Sequence, residues 1–585
     1  MVQVRVVPSV DEHSSAIVTL EGRLLDRSCR GGFSWAEQYE RAAGPGSVTI
    51  DGLFPGTWLH SIRVTEPATG QVQYHRSLLL AGPYPNRLAW RLFAETFTVT
   101  DPSDAPPPSG SLRSALARAP QAAKPYLIRF DDAAFPPGVR VLVPLQAPLP
   151  PLEASDVTID AIDALGLPGF RGIDAGGQPF PALNVRGSRN HLVGLALRNA
   201  GGNDRDVLSI RGPEAWGNVI ERCHIDTAAS ADGIGIDDRA GDDFVRSANV
   251  IRDCVITAAH DKGIKVTTGA TALVERSRVA GNSNGGIQAT LGGRVLVRDS
   301  LIESNGGLSA QNGLSANGAN LSEPELPAWL VAEGNVVQGN GGSGVSARAH
   351  SLVVLRHNAF VGNSRDGLRA QAVDGRAPIL RVEGSLFACN ASNGAVVEDS
   401  ALPDFGGGSA GSVGQNLFAR NPTPRTRRNL VWLGPLALWA RGNFWEGCAG
   451  QLNCTLSAVR SFDLGGRTEA IELGQEVSFS LLPPRVQAVR PRIARAAEPL
   501  RVFGQHFVGP ETDLALFCQP ISAPPQCPPA GPLPCVTIGG VSVPLDVVTP
   551  TLLIARMPYP CVEPVPLVVH TPRGSSKPVW ICTDA

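Results

Sequence analysis

The sequence predicts an all-β protein whose middle third winds as a solenoid of stacked short strands, a parallel β-helix. Three observations predict it. Asparagine closes a series of similar segments: RVAGN at Asn282, LIESN at Asn305, VVQGN at Asn340, FVGN at Asn363, LFACN at Asn390 and LFARN at Asn421. A column of small polar residues recurs shortly before each coil's Asn, at Cys223, Cys254, Ser277, Ser300, Asn335, Asn358, Ser385, Asn416 and Asn443. A glycine, expected to supply a backbone conformation closed to most residues, then opens a short alternating strand, as in DGIGID from Asp232, KGIKVT from Lys262, GGIQAT from Gly285, NGLSAN from Asn312, SGVSAR from Ser343, DGLRAQ from Asp366 and NGAVVE from Asn393. The Asn gaps are 23, 35, 23, 27 and 31 residues, and the other two columns follow them. A unit of this size cannot enclose a core alone, but stacking each coil on the last buries its inward residues and pairs every strand edge.

Composition agrees with that class. Gly 64 and Pro 49 supply turns for many short strands, while aromatic residues make up only 6% of the chain. Lys+Arg 51 against Asp+Glu 53 leaves net charge −2, so the basic footprint of a nucleic-acid or anionic-membrane binder is missing. No apolar run reaches the ~18 residues of a membrane-spanning helix, and Met1 to Ser14 lacks the basic start and apolar core of a signal peptide. If the protein is exported, its leader is expected to lie outside these residues.

From the N-terminus, residues 1–99 read as a small β-sandwich, with strands in AIVTLEGRLL, SVTIDGLFPGTW and SIRVTEPATGQVQYHRSLLL. The LFPGTW segment from Leu53 resembles a turn of small bacterial β-sandwich modules. Residues 100–180 are expected to form the opening segment and cap of the solenoid, with GSLRSAL at Gly110, YLIRFDD at Tyr126 and LPPLEASDVTIDA around Val157. A short amphipathic helix from Ser111 to Ala119 would shield the open strand edge.

Residues 181–455 carry the coils, about ten between Pro181 and Asn443, for a rod on the order of 50 Å. The pattern resembles the right-handed β-helix superfamily of pectate lyases, polygalacturonases, alginate epimerases, phage tailspikes and bacterial surface proteins, across roughly residues 100 to 450. Strand alternation points Ile234, Ile264, Ile287, Leu314, Val345 and Leu368 inward. The outward columns are then Asn184, Ser209, Gly235, Lys265, Gln288, Ser315, Ser346 and Arg369, and, two residues on, Arg186, Arg211, Asp237, Thr267, Thr290, Asn317, Arg348 and Gln371. In the superfamily this sheet lines a sugar-binding groove, so the resemblance implies an acidic polysaccharide as ligand. Arg186, Arg211, Gln288, Arg294, Arg348 and Arg369 are the candidate binding residues.

Candidate chemistry lies in ADGIGIDD from Ala231 and AHDKGIKV from Ala259. Against the polygalacturonase pattern, Asp232 and Asp261 match, but Lys262 replaces the second Asp of a pair and Gly285 replaces the histidine. Against the pectate lyase pattern, His260, Asp261 and Lys262 spell the middle element, whereas Ile236 stands where a calcium-binding Asp is expected. A β-elimination site assembled from these parts takes Lys262 or Lys265 as base, Asp237 and Asp238 as calcium ligands and Arg211 or Arg294 as carboxylate clamp. The chain has lysine only at Lys124, Lys262, Lys265 and Lys577, so two in one coil draw notice. Asp-Gly and Asn-Gly also open other coils, which makes Asp232 and Asp261 equally readable as turn residues.

Residues 456–483 read as a linker, and 484–585 as a further β unit. Its PRVQAVRPRIARAAEPLRVFGQHF, VTIGGVSVPLDVVTPTLLIARMPY and PVPLVVHTPRGSSKPVWI blocks are similar to the IPT/TIG domain, an immunoglobulin-like sandwich, interrupted by a proline-rich insertion from Cys518. Of Cys 11, five lie at Cys518, Cys527, Cys535, Cys561 and Cys582, with no zinc-site spacing, which suits a disulfide-permissive compartment. Cys223 and Cys254 share one column and are open to either stacking or bonding. The expected function is an extracellular or cell-surface protein, non-catalytic because both catalytic patterns are incomplete, that binds glycan or builds an assembly, with homo-oligomerisation open. A polysaccharide lyase or glycoside hydrolase acting on uronates is the alternative.

Overall fold

The computed structural model describes side chains from residue 94 onward, apart from residues 164–166, 203–205, 238–247, 308–309, 319–326, 422–427, 449–454, 474–481, 492–498, 509–511, 513–533, 559–563 and 583–585; before residue 94 it describes backbone strands alone. Those strands form a four-stranded and a three-stranded sheet, and the packing expected of a 1–99 sandwich lies outside the described residues.

The middle of the chain is a parallel β-helix of about 12 turns over residues 95–445. Each coil visits three sheets in turn. The first sheet has 11 strands starting at Leu183–Val185, the second has 14 including Glu95–Val99 and Tyr126–Phe130, and the third has 12 from Val141–Pro144 to Phe444–Trp445. The stack is longer than the repeat pattern suggests, because strands in the 100–180 segment and at Leu464–Gly466 and Ile471–Glu472 add rungs at both ends. The helix Leu112–Arg118 closes the N-terminal end. Ser111 accepts a hydrogen bond from the Ser114 N–H as its N-cap, and Leu112, Ala115 and Leu116 are buried.

Inward residues stack in register: Ile234 on Ile264, Ile287, Leu314, Val345 and Leu368. Farther along, Phe360, Phe387, Phe418 and Trp445 stack face to face with centroids 5.1, 5.0 and 4.9 Å apart. On the outside of the second sheet, Glu221, Arg252, Glu275, Arg298, Glu333, Arg356 and Glu383 form one column of alternating sign. Arg252 lies 2.7 Å from Glu221 and Arg356 2.8 Å from Glu383.

Both polar columns are hydrogen-bonded ladders. The Asn340 backbone N–H and side-chain amide both donate to Asn363 Oδ1, at 3.2 and 2.9 Å, while Asn363 Nδ2 donates to the Val337 carbonyl at 3.1 Å. The same arrangement runs from Asn282 to Asn421. The second ladder runs through Ser300, Asn335, Asn358, Ser385, Asn416 and Asn443. An earlier stretch, Asn190, Asn218 and Asn249, extends the pattern beyond the segments that sequence columns identified. The residue before a ladder position commonly adopts a left-handed backbone, as at Asp253, Arg276, Asp299 and His357, a conformation that costs non-glycine residues roughly 1 kcal/mol.

The coil-opening glycines need correcting. The sequence suggests a backbone conformation closed to other residues, yet none of Gly233, Gly263, Gly286, Gly313, Gly344, Gly367 and Gly394 has a positive φ. The constraint is space. A Cβ at Gly313 would lie 2.6 Å from Val337 Cγ1 and 2.7 Å from Asn340 Nδ2, and one at Gly286 would lie 2.4 Å from the Gly313 carbonyl oxygen.

After residue 484 two antiparallel sheets follow, one containing Pro499–Gln505 and Leu552–Arg556, the other Cys535–Ile538 and Val565–Thr571. This unit docks on the corner between the second and third sheets. Arg501 Nε donates to the Gly334 carbonyl at 3.0 Å, Arg490 pairs with Glu333 at 3.0 Å, and Phe503, Leu552 and Ile554 pack with Val336.

If the ladder holds the coils, Asn363→Ala should lower unfolding free energy by about 1–3 kcal/mol, because it strands the buried Asn340 N–H. Urea denaturation with an unchanged midpoint would contradict this.

Candidate functional site

The first sheet presents the outward columns that alternation predicts. Asn184, Ser209, Gly235, Lys265, Gln288, Ser315, Ser346 and Arg369 are registered partners, and so are Arg211 and Asp237. Asp237 and Lys265 therefore sit on adjacent strands of the outer wall, while Ile236 and Val266 between them point inward and are buried.

A carboxylate cluster lies at one end of this face. Asp206, Asp232 and Lys262 occupy the same coil position: the Val207 N–H donates to the Asp232 carbonyl, and the Gly233 N–H donates to that of Lys262. The Asp232 N–H hydrogen-bonds the Asp206 carboxylate, and the Lys262 N–H donates to Asp232 Oδ1 at 2.8 Å. Asp366 accepts from the Asn393 N–H, and Asn312 from the Ser343 N–H, in the same manner. Asp232 is thus a turn-ladder residue whose second oxygen, Oδ2, lies 3.8 Å from Lys265 Nζ. Asp206 Oδ2 is 3.1 Å from Arg211 Nη2 and fills the space that a Cβ at Gly235 would occupy, 1.9 Å away. Lys262 Nζ donates to Asp261 Oδ1 at 2.5 Å.

Burial pushes the Asp232 carboxyl up to about 7, and the neighbouring Asp206 charge adds to the rise while Lys265 opposes it. Burial also raises Asp206 and Asp366, against Arg211 in one case and an Asn393 hydrogen bond in the other.

The remaining sequence candidates are scattered. Arg186 is exposed, 3.7 Å from Glu153. Gln288 adjoins Lys265, and Arg348 is exposed on the face. Arg369 Nη2 donates to both Glu398 carboxylate oxygens, at 2.8 and 2.9 Å. Arg294 belongs to another surface, because the Leu291–Gly293 turn carries the chain around a corner and places Arg294 in the second sheet, over the Trp329 ring at 5.5 Å. This position removes it from the predicted clamp. Asp238 lies outside the described residues, among which no group of three or more His, Cys, Asp or Glu side chains forms a metal-binding cluster. Sequence reasoning missed Asp206 and Glu398. Asp206 has no following glycine to mark it as the column-mate of Asp232, and Glu398 shows only through register.

Cys223 and Cys254 are free, buried thiols in the second ladder, and the Cys223 N–H donates to Cys254 Sγ at 3.4 Å. Burial raises the Cys254 thiol well above its ordinary value, which suits packing and not nucleophilic chemistry.

Comparison with known proteins gives the coil its hand. The family model for the right handed beta helix region matches residues 184–373. The chain is similar to the A-module of a mannuronan C-5 epimerase from Azotobacter vinelandii, at 12% identity over 66% of this chain and 98% of that one, with a TM-score of 0.38. It is also similar to the catalytic unit of an alpha-1,3-glucanase from Streptomyces thermodiastaticus, at 13% identity over 82% and 90%, TM-score 0.37, and to tailspike protein 3 of bacteriophage CBA120, at 10% identity over 63% and 54%, TM-score 0.37. No curated protein matches the chain.

The raised Asp232 carboxyl has a consequence for stability. The folded chain keeps this proton up to about 7, whereas the unfolded chain releases it above ~3.9. The stability it contributes is full below the unfolded value and is lost as pH rises through the folded one. Asp232→Asn retains the oxygen that accepts the Lys262 N–H, so it should flatten the fall in melting temperature between about pH 4 and about pH 8. An unaltered slope would refute the assignment.

Proposed function

We propose that the protein is an extracellular or cell-surface β-helix protein that binds glycan on the outer face of its first sheet without transforming it. The observation that carries this reading is the charge pairing along that face: Lys262 with Asp261, Lys265 with Asp232, Arg211 with Asp206 and Arg369 with Glu398. An elimination base needs its amine free to meet the sugar, and here the Nζ of each lysine already faces a carboxyl oxygen of the same face. Beside these pairs, three successive rungs carry outward hydroxyl, amide and guanidinium groups: Gln288 and Thr290, Ser315 and Asn317, and Arg348 next to the buried Ser346. An extended sugar chain laid across these three rungs meets a hydrogen-bonding group at each, and exposed Arg348 offers a partner to a uronate carboxylate. The cysteine-rich chain end supports an oxidising location, and we read residues 484–585 as an IPT/TIG-type module that braces the rod.

A hydrolase is the second reading, favoured by the stacking of Asp206 and Asp232, two buried carboxyls both shifted upward, an arrangement that keeps one acid protonated beside an ionised neighbour.

Affinity electrophoresis in gels containing pectate, alginate or neutral glucan should show retardation, with neither unsaturated products nor new reducing ends after incubation with or without calcium. Gln288→Ala combined with Arg348→Ala should weaken binding ~10-fold, about 1.4 kcal/mol. Reducing ends that vanish in Asp232→Asn would establish a hydrolase, and absorbance from unsaturated sugars that vanishes in Lys262→Ala or Lys265→Ala a lyase.

A further inference from the structure

The outer face of the second sheet differs in kind from that of the first. Its middle column is aliphatic over six consecutive rungs, Val219, Val250, Leu273, Leu296, Val331 and Val354, in unbroken register. A second outward column adds Trp329, Leu352, Ile379 and Leu402. Trp329 is 37% exposed, Ile379 43% and Leu402 44%. Among the described residues, the docked C-terminal unit approaches the far edge of this sheet, through Arg490 on Glu333 and Arg501 on Gly334, and Trp329, Ile379 and Leu402 stay exposed.

We infer that this apolar face is the surface through which two copies of the chain pair, sheet against sheet. Three features point to a second copy as the occupant. Every strand of the sheet between its first and last already has a partner on both sides, so an extended peptide has no backbone edge to join here, and the occupant must bring a preformed apolar surface. The flanking Glu221-to-Glu383 column is paired throughout, Glu221, Glu275 and Glu383 by arginines of the same column and Glu333 by Arg490, so a neutral surface closes over the strip without stranding a charge. The face also repeats at the rung spacing, so a copy of itself matches it rung for rung under a two-fold axis, with sheets ~10 Å apart. Nine rungs at ~4.8 Å, from the strand at His191 to that at Leu402, by three outward columns ~7 Å apart give on the order of 700 Å² per copy. That area holds ten apolar positions, six in the middle column and four in the second, with the Glu/Arg column as its third, and it approaches the ~800 Å² per partner that a stable dimer buries.

Sedimentation velocity and light scattering on the full chain, up to on the order of 100 µM, test this. The parent is expected to approach twice 61.4 kDa. Leu352→Lys with Ile379→Lys, both at solvent-facing positions, should leave the melting temperature unchanged and raise the dimer dissociation constant more than ~10-fold. Arg348→Glu, on the first sheet, should leave the dimer intact. A parent that stays monomeric throughout that range, a double variant that dimerises as before, or association only with a different added protein would each overturn the inference.

Discussion

Each coil of this protein has corners where the three sheets cannot pair the backbone, and the structure depends on how those N–H and C=O groups are satisfied. Buried polar backbone is tolerated only when bonded. The side-chain ladders do this by spanning rungs: Asn363 Oδ1 accepts a hydrogen bond from the Asn340 N–H, and its own amide N–H donates one to the Val337 carbonyl. Because each ladder residue serves the neighbouring coil, coils are coupled in series, as expected of a quasi-one-dimensional array. Left-handed residues such as Asp253 and His357 oppose folding locally, and the bonds made at Cys254 and Asn358 offset them.

The same constraint shapes the carboxylate cluster. Asp232 holds the Lys262 N–H just as Asn312 holds that of Ser343, so a carboxyl has been placed where the fold needs only an acceptor oxygen. Its second oxygen, free of that duty, faces Lys265. Gly235 makes room for Asp206 beside it, and the two acids share a confined space in which neither is fully hydrated. Structural and electrostatic roles thus meet in one side chain.

The three faces of the rod divide the surface between them. The first is polar and internally charge-paired, the second combines apolar columns with an alternating Glu/Arg column, and the third carries part of the C-terminal unit at Leu301 and Val336. A solvated strand face has no intrinsic reason to be aliphatic over six rungs, whereas a face that meets another surface does.

Much was legible in the chain itself. A repeat with period-two alternation determines coils, inward residues and outward columns, because a strand residue has only two faces to choose from and register carries that choice from Asn184 to Arg369. Corner asparagines were legible for the same reason, as every coil poses the same unmet backbone demand. Tertiary structure alone decided which turn carried Arg294 off the first sheet, that Asp206 sits beside Asp232, that coil-opening glycines answer to crowding by Val337 and Asn340, and where residues 484–585 dock. Those depend on distances between coils whose loops vary in length, and sequence spacing does not encode them.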